Sequence, residues 1–475
     1  MSIIPSMKTR FCPSPTGLMH LGNLRTALFN RLVIGKTDSH DIKPSFLLRI
    51  EDTDLARSEQ VYAEQLMRDL KWLGLLWDEG PYVGGEHAPY YQAQRKSIYQ
   101  AFYDTLLKEH KAYYCFCSEK TLSITRKLQI AAGQPPRYPG TCRHLSLKEV
   151  EDKLAQNTNY TLRFRIPENE EIRFVDLIQG QKVFSSDDLG DFIIKKEDGT
   201  PTFMFCNAID DAVMNVTHAL RGEDHLTNTP RQILILKALN LPQPQYGHMS
   251  LIVGKDGKPL SKRNGSMSIQ ELRDKGYWPL AILNYLSRLG HHYTNDKWMN
   301  WETLCHEFAL PQIGRSPACF DLHQLHHWQK EALQQLTNET LWQWMATKVK
   351  AWVPEDKTLH FVDVIRDNIL FPEEALTWAQ ILFDSIHFKE KELTILKTAG
   401  TSFFNQAVEQ ATHFKEPSEL IANIKTQTGC KGKLLFMPIR VALTGEQSGP
   451  ELPKVINLLG QEEVVRRFKR AGELC

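Results

Sequence analysis

The stretch that most constrains this chain is RFCPSPTGLMHLGN, Arg10 to Asn23. Thr9 to Cys12 has the short apolar character of a strand. Pro13 and Pro15 then bar helix continuation and hold the residues before them extended or turned. After Gly22 and Asn23 the pattern becomes helical, with Leu24, Ala27, Leu28 and Leu32 on one face. Ser45 to Ile50 is a second compact apolar strand, closed by Glu51, Asp52 and Asp54. Strand, rigid loop, helix, strand predicts a βαβ unit in a parallel sheet. The loop feeds a helix start, where unpaired N–H groups and the helix dipole suit an anion such as a phosphate. Gly22 lets a ligand approach the backbone, and His20 is placed to donate to a phosphate oxygen. Taken alone, HLGN is a common tetrapeptide, and a lone histidine there reads more readily as structural.

Charge narrows the range of partners. The 475 residues carry 57 Lys+Arg against 56 Asp+Glu, a formal net charge of +1. Near-neutrality excludes a binder whose affinity comes from bulk positive charge, but not one with local basic patches. Residues 118–150 hold six cations and two anions, and residues 254–265 four cations and one anion. Nine cysteines are too sparse for a disulfide scaffold of this length. Without a run of about 18 uncharged apolar residues, no membrane span is expected. The N-terminus does not read as a secretory signal. A cytoplasmic protein with reduced thiols follows, with about three domains at this length.

Along the chain, Val61–Trp77 and Tyr90–His110 read as helices. Thr161–Ile166, Ile172–Ile178 and Phe192–Lys195 read as strands. The apolar run Phe203–Ile209 reads as a strand ended by Asp210 and Asp211, whose carboxylates are structural or catalytic. From Gln270 onward helical periods dominate. Between lies a polar stretch with Cys115-x-Cys117, 24 intervening residues, and Cys142-x-His144. Three thiolates and an imidazole form the donor set of a closed structural Zn2+ site. The C-x-C spacing is tighter than the usual C-x2-C, so four unrelated side chains are the alternative. A second loop, GKDGKPLSKRNG (Gly254 to Gly265), is rich in glycine and cations. It suits a polyphosphate leaving group, or on its own a solvated hairpin. The pairs His291-His292 and His326-His327, and Trp342 with Trp344, read as packing residues.

Together, HLGN after PSPTG and LSKR some 240 residues later resemble the paired signatures of class I aminoacyl-tRNA synthetases. RFCPSPTGLMHLGNLRTALFN, RIEDTD (Arg49 to Asp54), THALRGEDHLTNTPRQ (Thr217 to Gln232), LSKRNG, GYWPLAILNYLSRLG (Gly276 to Gly290) and LFMPIRVALTG (Leu435 to Gly445) narrow this to the bacterial glutamyl-tRNA synthetases. The resemblance implies a ligase that activates L-glutamate with ATP and Mg2+ and transfers it to tRNA(Glu). Whether tRNA(Gln) is charged too is left open. His20 and Lys262 match the catalytic phosphate-binding positions. Pro13, Gly22, Asn23, Leu260, Ser261 and Arg263 complete the ATP site. Arg10, Ser14, Glu51, Phe203, Asn207 and Arg221 match the glutamate pocket, with Arg10 and Arg221 on carboxylates and Glu51 on the ammonium. Cys115, Cys117, Cys142 and His144 match a structural zinc. The fold implied is an α/β Rossmann-type core (1–114 and 201–245) split by an acceptor-binding insertion (115–200). A stem-contact segment with the LSKR loop (246–328) and an all-helical anticodon-binding region (329–475) follow, in a monomer. Two departures stand out. Phe203 replaces a common tyrosine, and Pro259 replaces the first lysine of K-L-S-K-R. They keep alive an alternative, a synthetase-like RNA-binding paralogue with weak or no aminoacylation activity.

Overall fold

The computed structural model describes residues 6–35, 43–54, 57–260 and 267–475. The chain opens with β1 (Lys8–Phe11), buried along its whole length, then α1 (Leu21–Ile34) and β2 (Ser45–Leu48). β2 lies parallel to β1, with Arg10 opposite Leu47. The first βαβ unit is therefore the one expected from the alternating pattern. Helices α2 (Gln60–Trp72) and α3 (Lys96–Lys108) follow. A largely antiparallel segment comes next, built from β3 (Ala112–Cys115), α4 (Glu119–Ala131), α5 (Leu147–Ala155), β4 (Thr161–Phe164), β5 (Glu171–Asp176), β6 (Gly180–Ser185) and β7 (Phe192–Lys195). β3, β4 and β7 form one sheet, and β5 and β6 form a hairpin. The chain returns through α6 (Phe203–Val213), β8 (His218–Gly222), α7 (Thr229–Ala238) and β9 (Gln245–Met249). The four-stranded parallel sheet runs β2-β1-β8-β9, and the carboxyl ends of its strands share one edge, where open α/β sheets bind ligands.

Two local expectations change. Phe203–Ile209 is not a strand but the first part of α6. The helix is buried nearly all round, from Phe205 through Ala212. Its sequence therefore lacks the one-sided apolar period by which a helix is told from a buried strand. The polar stretch after Cys117 contains α4, capped by Ser118 accepting from the Thr121 amide at 3.2 Å. None of the described side chains of α4 is buried, so no core-facing stripe announces it.

By compactness the chain forms two units, residues 1–271 with 283–321, and residues 272–282 with 322–475. The described part of the second is helical around a core that includes Leu341, Phe361, Phe404, Ile439 and Phe468. Its helix Glu390–Ala411 is interrupted at Gly400, whose φ of 84° and ψ of 159° are not helical. Among the described residues no helix is long and apolar enough to cross a membrane.

The β5–β6 hairpin is docked on the sheet edge. The Leu177 amide donates to Tyr246 O at 2.8 Å, and Gln179 Nε2 to His248 O at 3.2 Å. Gly247 makes this approach possible. A Cβ there would stand 2.6 Å from Leu220 Cδ2 and 3.4 Å from Leu177 Cβ. Overpacking a filled core of this kind costs about 1–3 kcal/mol. Gly247→Ala is therefore expected to lower the thermal unfolding midpoint measurably, while an alanine at exposed Gly314, whose Cβ would meet nothing nearer than Gly290 O at 3.7 Å, leaves it within error of a surface change.

Candidate functional site

A cavity of about 600 Å3 opens at the carboxyl ends of the parallel strands. Arg10 and Pro13 come from the end of β1, Ser14 from the proline loop, and His20, Gly22 and Asn23 from the start of α1. Glu51 lies beyond β2, Phe203 and Asn207 on α6, and Arg221 on β8. All ten line the same cavity. Leu260 is described outside that lining, its amide donating to Ile252 O at 3.0 Å. Ser261, Lys262 and Arg263 lie outside the described residues.

The floor of the cavity is a buried ionic network. Arg10 is 1% exposed. Its Nε donates to both oxygens of Asp211 at 3.3 and 3.2 Å, and its Nη1 donates to Leu220 O at 3.0 Å. Nη2 is buried with no hydrogen-bond partner among the described residues. An unpaired buried guanidinium nitrogen is costly, and its position in a cavity wall marks it as a donor for a ligand. Arg49 Nη1 donates to Asp211 Oδ1 at 2.8 Å. Beneath it, Asp210 accepts from Arg95 Nε and Gln92 Nε2 at 2.8 Å each and from the Tyr99 hydroxyl at 2.7 Å. Burial alone would raise the Asp211 pKa, but Arg10 and Arg49 outweigh it and hold it below the ordinary carboxylate value. Burial likewise opposes the charge on Arg10, and Asp211 restores it.

The neighbouring strand β8 carries a second guanidinium into the cavity lining. Arg221 Nη2 donates to Thr229 Oγ1 at 2.8 Å and Gln232 Oε1 at 2.7 Å, and its Nε donates to His248 Nε2 at 3.1 Å. Its Nη1 stands 3.5 Å from Asn207 Oδ1, at the outer limit of a hydrogen bond. Asn207 bridges the walls, since its Nδ2 donates to Glu51 Oε1 at 2.5 Å while its Oδ1 accepts from Gln232 Nε2 at 3.1 Å. Burial raises the Glu51 pKa despite Arg49, 3.5 Å away. A cationic ligand group beside Glu51 would favour its charged form. Phe203 presents its ring to the cavity, 5.0 Å from the His225 ring.

The loop ends in a cap. His20 is the N-cap of α1, with Nδ1 accepting from the Gly22 and Asn23 amides at 3.1 and 3.4 Å. An accepting Nδ1 carries no proton, so the proton sits on Nε2 of an exposed ring. Desolvation by the loop lowers the His20 pKa, which keeps the ring a neutral donor. Histidine here is both the structural residue and a placed donor.

Outside the cavity, the Sγ atoms of Cys115, Cys117 and Cys142 lie within 4.8 Å of one another. Phe116 N donates to Cys142 Sγ at 3.4 Å, and Arg163 Nε to Cys115 Sγ at 3.2 Å. Burial raises the Cys115 pKa, but the Tyr138 and Arg163 bonds bring it below the ordinary thiol value. Three convergent sulfur donors fit zinc. His144 is exposed and is not brought into this group. The next residue back, Arg143, is tied to Asp191 at 2.5 and 2.7 Å, which fixes the turn. The Tyr138 hydroxyl lies beside the sulfurs instead, 3.4 Å from Cys115 and 3.5 Å from Cys117.

The family described as tRNA synthetases class I (E and Q), catalytic domain, matches residues 6–327, and an anticodon binding domain matches residues 345–472. The chain belongs to the class I tRNA synthetases. Glutamate–tRNA ligase 2 of Nitrosococcus oceani is 52% identical over 469 residues, which is 98% of each chain. Glutamate–tRNA ligase 2 of Coxiella burnetii is 47% identical, covering 98% of this chain and 99% of its own. A crystal structure of a glutamate tRNA ligase from Elizabethkingia meningosepticum in complex with its amino acid superposes with a TM-score of 0.89. It shares 28% identity and covers 98% of this chain and 99% of its own.

In this synthetase several supporting residues were not singled out from sequence, namely Arg49, Asp176, Gln232, Thr229 and His248. Gln232 and Thr229 stand inside the THALRGEDHLTNTPRQ segment, whose length was the available signal. His248 and Asp176 meet only through the tertiary fold.

Asp211 is the counter-charge for both Arg10 and Arg49. Removing one partner of a buried ion pair costs about 3–5 kcal/mol, so Asp211→Asn is expected to lower the unfolding midpoint strongly. Because the folded-state pKa of Asp211 is depressed, its stabilisation is full above the unfolded value of about 3.9. It is lost as pH falls below that value through the folded pKa. The wild-type minus variant difference in unfolding free energy should therefore be constant near neutrality and shrink below about pH 4. For the thiol cluster, purified protein is expected to carry about one equivalent of zinc. Cys142→Ser or chelation should release it and lower thermal stability. Metal content under about half an equivalent counts against a closed site.

Proposed function

We propose that the protein is a glutamate–tRNA ligase that activates L-glutamate with ATP and charges tRNA(Glu). The observation that carries this reading is the cavity itself. Two buried guanidiniums, Arg10 and Arg221, flank one buried carboxylate, Glu51. That arrangement complements a dicarboxylic amino acid with one ammonium group. Arg10 and Arg221 take the two carboxylates and Glu51 takes the ammonium. The planar guanidinium fork suits a carboxylate better than a lysine ammonium would.

In this reading ATP lies along the proline loop and the α1 start, with its phosphates against the Gly22 and Asn23 backbone and the Nε2–H of His20. Lys262 acts from the basic loop, with Leu260, Ser261 and Arg263 beside it. The glutamate α-carboxylate attacks the α-phosphate in line, giving glutamyl-adenylate and pyrophosphate. The 2′-hydroxyl of the terminal adenosine of the tRNA then takes the glutamyl group and releases AMP. No protein nucleophile is required. The chain's residues position the reactants and stabilise the charge that develops on the phosphates. The nucleotide is taken as its Mg2+ complex, which supplies charge neutralisation to the departing pyrophosphate. The cysteine-bearing insertion holds the acceptor end, its thiols folding that segment around zinc rather than doing chemistry. Residues 246–328 contact the stem, and residues 329–475 read the anticodon. The reaction takes place in the cytoplasm.

Phe203 removes a hydroxyl from the pocket wall, so selectivity rests on the two guanidiniums. Glutamate-dependent ATP–pyrophosphate exchange with tRNA(Glu) present tests the proposal. Exchange is expected with glutamate. Arg10→Lys should raise the glutamate KM by roughly 10-fold or more, since hydrogen bonds to charged groups are worth about 1.5–3 kcal/mol, with the ATP KM little changed. An absence of exchange with any tRNA would overturn the ligase reading. Side-by-side charging of purified tRNA(Glu) and tRNA(Gln) settles the tRNA range.

A further inference from the structure

The β5–β6 hairpin delivers a carboxylate to the far side of the amino-acid cavity. Asp176, at the end of β5, is 2% exposed, and His248, on β9, is fully buried. Asp176 Oδ2 stands 2.5 Å from His248 Nδ1. Asp176 Oδ1 accepts from the amides of Ile178, Gln179 and His248 at 2.9, 2.7 and 3.1 Å. The other ring nitrogen, Nε2, accepts from Arg221 Nε at 3.1 Å and lies 3.0 Å from Thr229 Oγ1. An arginine has only donors, so Nε2 must be bare and the proton must sit on Nδ1, where Asp176 receives it. Burial lowers the His248 pKa, and the neighbouring Arg221 charge lowers it further against the pull of Asp176. Burial would raise the Asp176 pKa, but its hydrogen bonds from His248 and the backbone hold it low. A charged aspartate beside a neutral histidine is the state these contacts require.

We propose that the Asp176–His248 pair is a positioning device for Arg221: it fixes the tautomer that accepts from Arg221 Nε and so holds the guanidinium with Nη2 on Thr229 and Gln232 and Nη1 left for the cavity. The inference rests on the assignment of Arg221 to a substrate carboxylate. Neither residue of the pair lines the cavity, so each acts through Arg221. The position of the aspartate gives the device a second consequence. Glutamate affinity depends on a residue carried by the segment between the two halves of the parallel sheet, and displacing the hairpin turn would slacken Arg221.

Asp176→Asn tests this sharply. The amide oxygen can keep the three backbone donors, so the turn is retained. The amide NH2 then faces His248 Nδ1 and drives the proton to Nε2, which opposes the N–H of Arg221. Elsewhere an aspartate-to-asparagine change beside a histidine acts through the wrong tautomer in the same way. The expected result is a glutamate KM raised roughly 10-fold or more, with the ATP KM and the far-ultraviolet spectrum unchanged. His248→Gln keeps an acceptor for Arg221 without any tautomer to set. It should stay within about 3-fold of the wild type, and adding Asp176→Asn to it should change nothing further. If Asp176→Asn fails to fold, His248→Phe against His248→Gln carries the comparison. Phenylalanine should raise the glutamate KM and glutamine should not.

A silent Asp176→Asn, additive losses in the double variant, or equal effects of phenylalanine and glutamine at 248 would overturn the proposal. Arg221→Lys separates the two levels. If it leaves the glutamate KM unchanged, the assignment of Arg221 to substrate fails. If it raises the KM while Asp176→Asn does not, only the positioning role falls.

Discussion

Asp211 shared between Arg10 and Arg49 is the interaction on which the site depends. Arg10 sits on β1, Arg49 one residue past the end of the neighbouring parallel strand β2, and Asp211 on a helix that arrives far later in the chain. Two guanidiniums at 1% and 0% exposure cannot stay charged in a protein interior without a nearby anion. Asp211 supplies it, and Asp210, the residue before it on α6, accepts from Arg95 Nε. The pair of acids therefore joins α6 to the first βαβ unit by charge as well as by packing. The arrangement leaves Arg10 Nη2 without a hydrogen-bond partner among the described residues, and this is the nitrogen that the proposed reading gives to a substrate carboxylate.

The sheet supplies the rest by geometry. Parallel strands bring their carboxyl ends to one edge, so residues far apart in sequence, such as Arg10, Glu51 and Arg221, reach one cavity without long loops. Their rigidity is borrowed from neighbours. Asn207 holds Glu51 with one end of its amide and Gln232 with the other, so the acidic and basic walls cannot drift independently. Preorganisation of this kind matters most where catalysis comes from placement and charge rather than from a covalent intermediate.

Much of this was legible in the sequence, and the reasons differ from residue to residue. The βαβ start was readable because prolines and a single apolar face leave few alternatives. The carboxylate-binding and ammonium-binding candidates were readable only through segment resemblance, since an isolated Arg10 or Arg221 looks like any surface cation. The start of α6 reads as a strand because burial on all sides erases the helical period. Cys115, Cys117 and Cys142 converge as their spacing suggested, yet His144 is exposed and outside that group, and spacing carries no information about that. Asp176 and His248 lie 72 positions apart, and their partnership exists only after the hairpin docks on β9.

The near-zero net charge can now be given a structural sense. The cations that matter fall into two classes with opposite electrostatic needs. Those at the cavity are buried: Arg10 shares Asp211 with Arg49, while Arg221 is held by the neutral Thr229, Gln232 and His248. Those of residues 118–150, together with Lys255 and Lys258, are mostly solvent-accessible, where salt screens them and binding to a polyanion is easily reversed. A neutral total is what results when a small-molecule site needs strong, desolvated, pre-paired charge and a polyanion surface needs weak, screened charge on the same chain. Under the proposed ligase reading, the buried set serves carboxylate selectivity and the exposed set serves release of the polyanion.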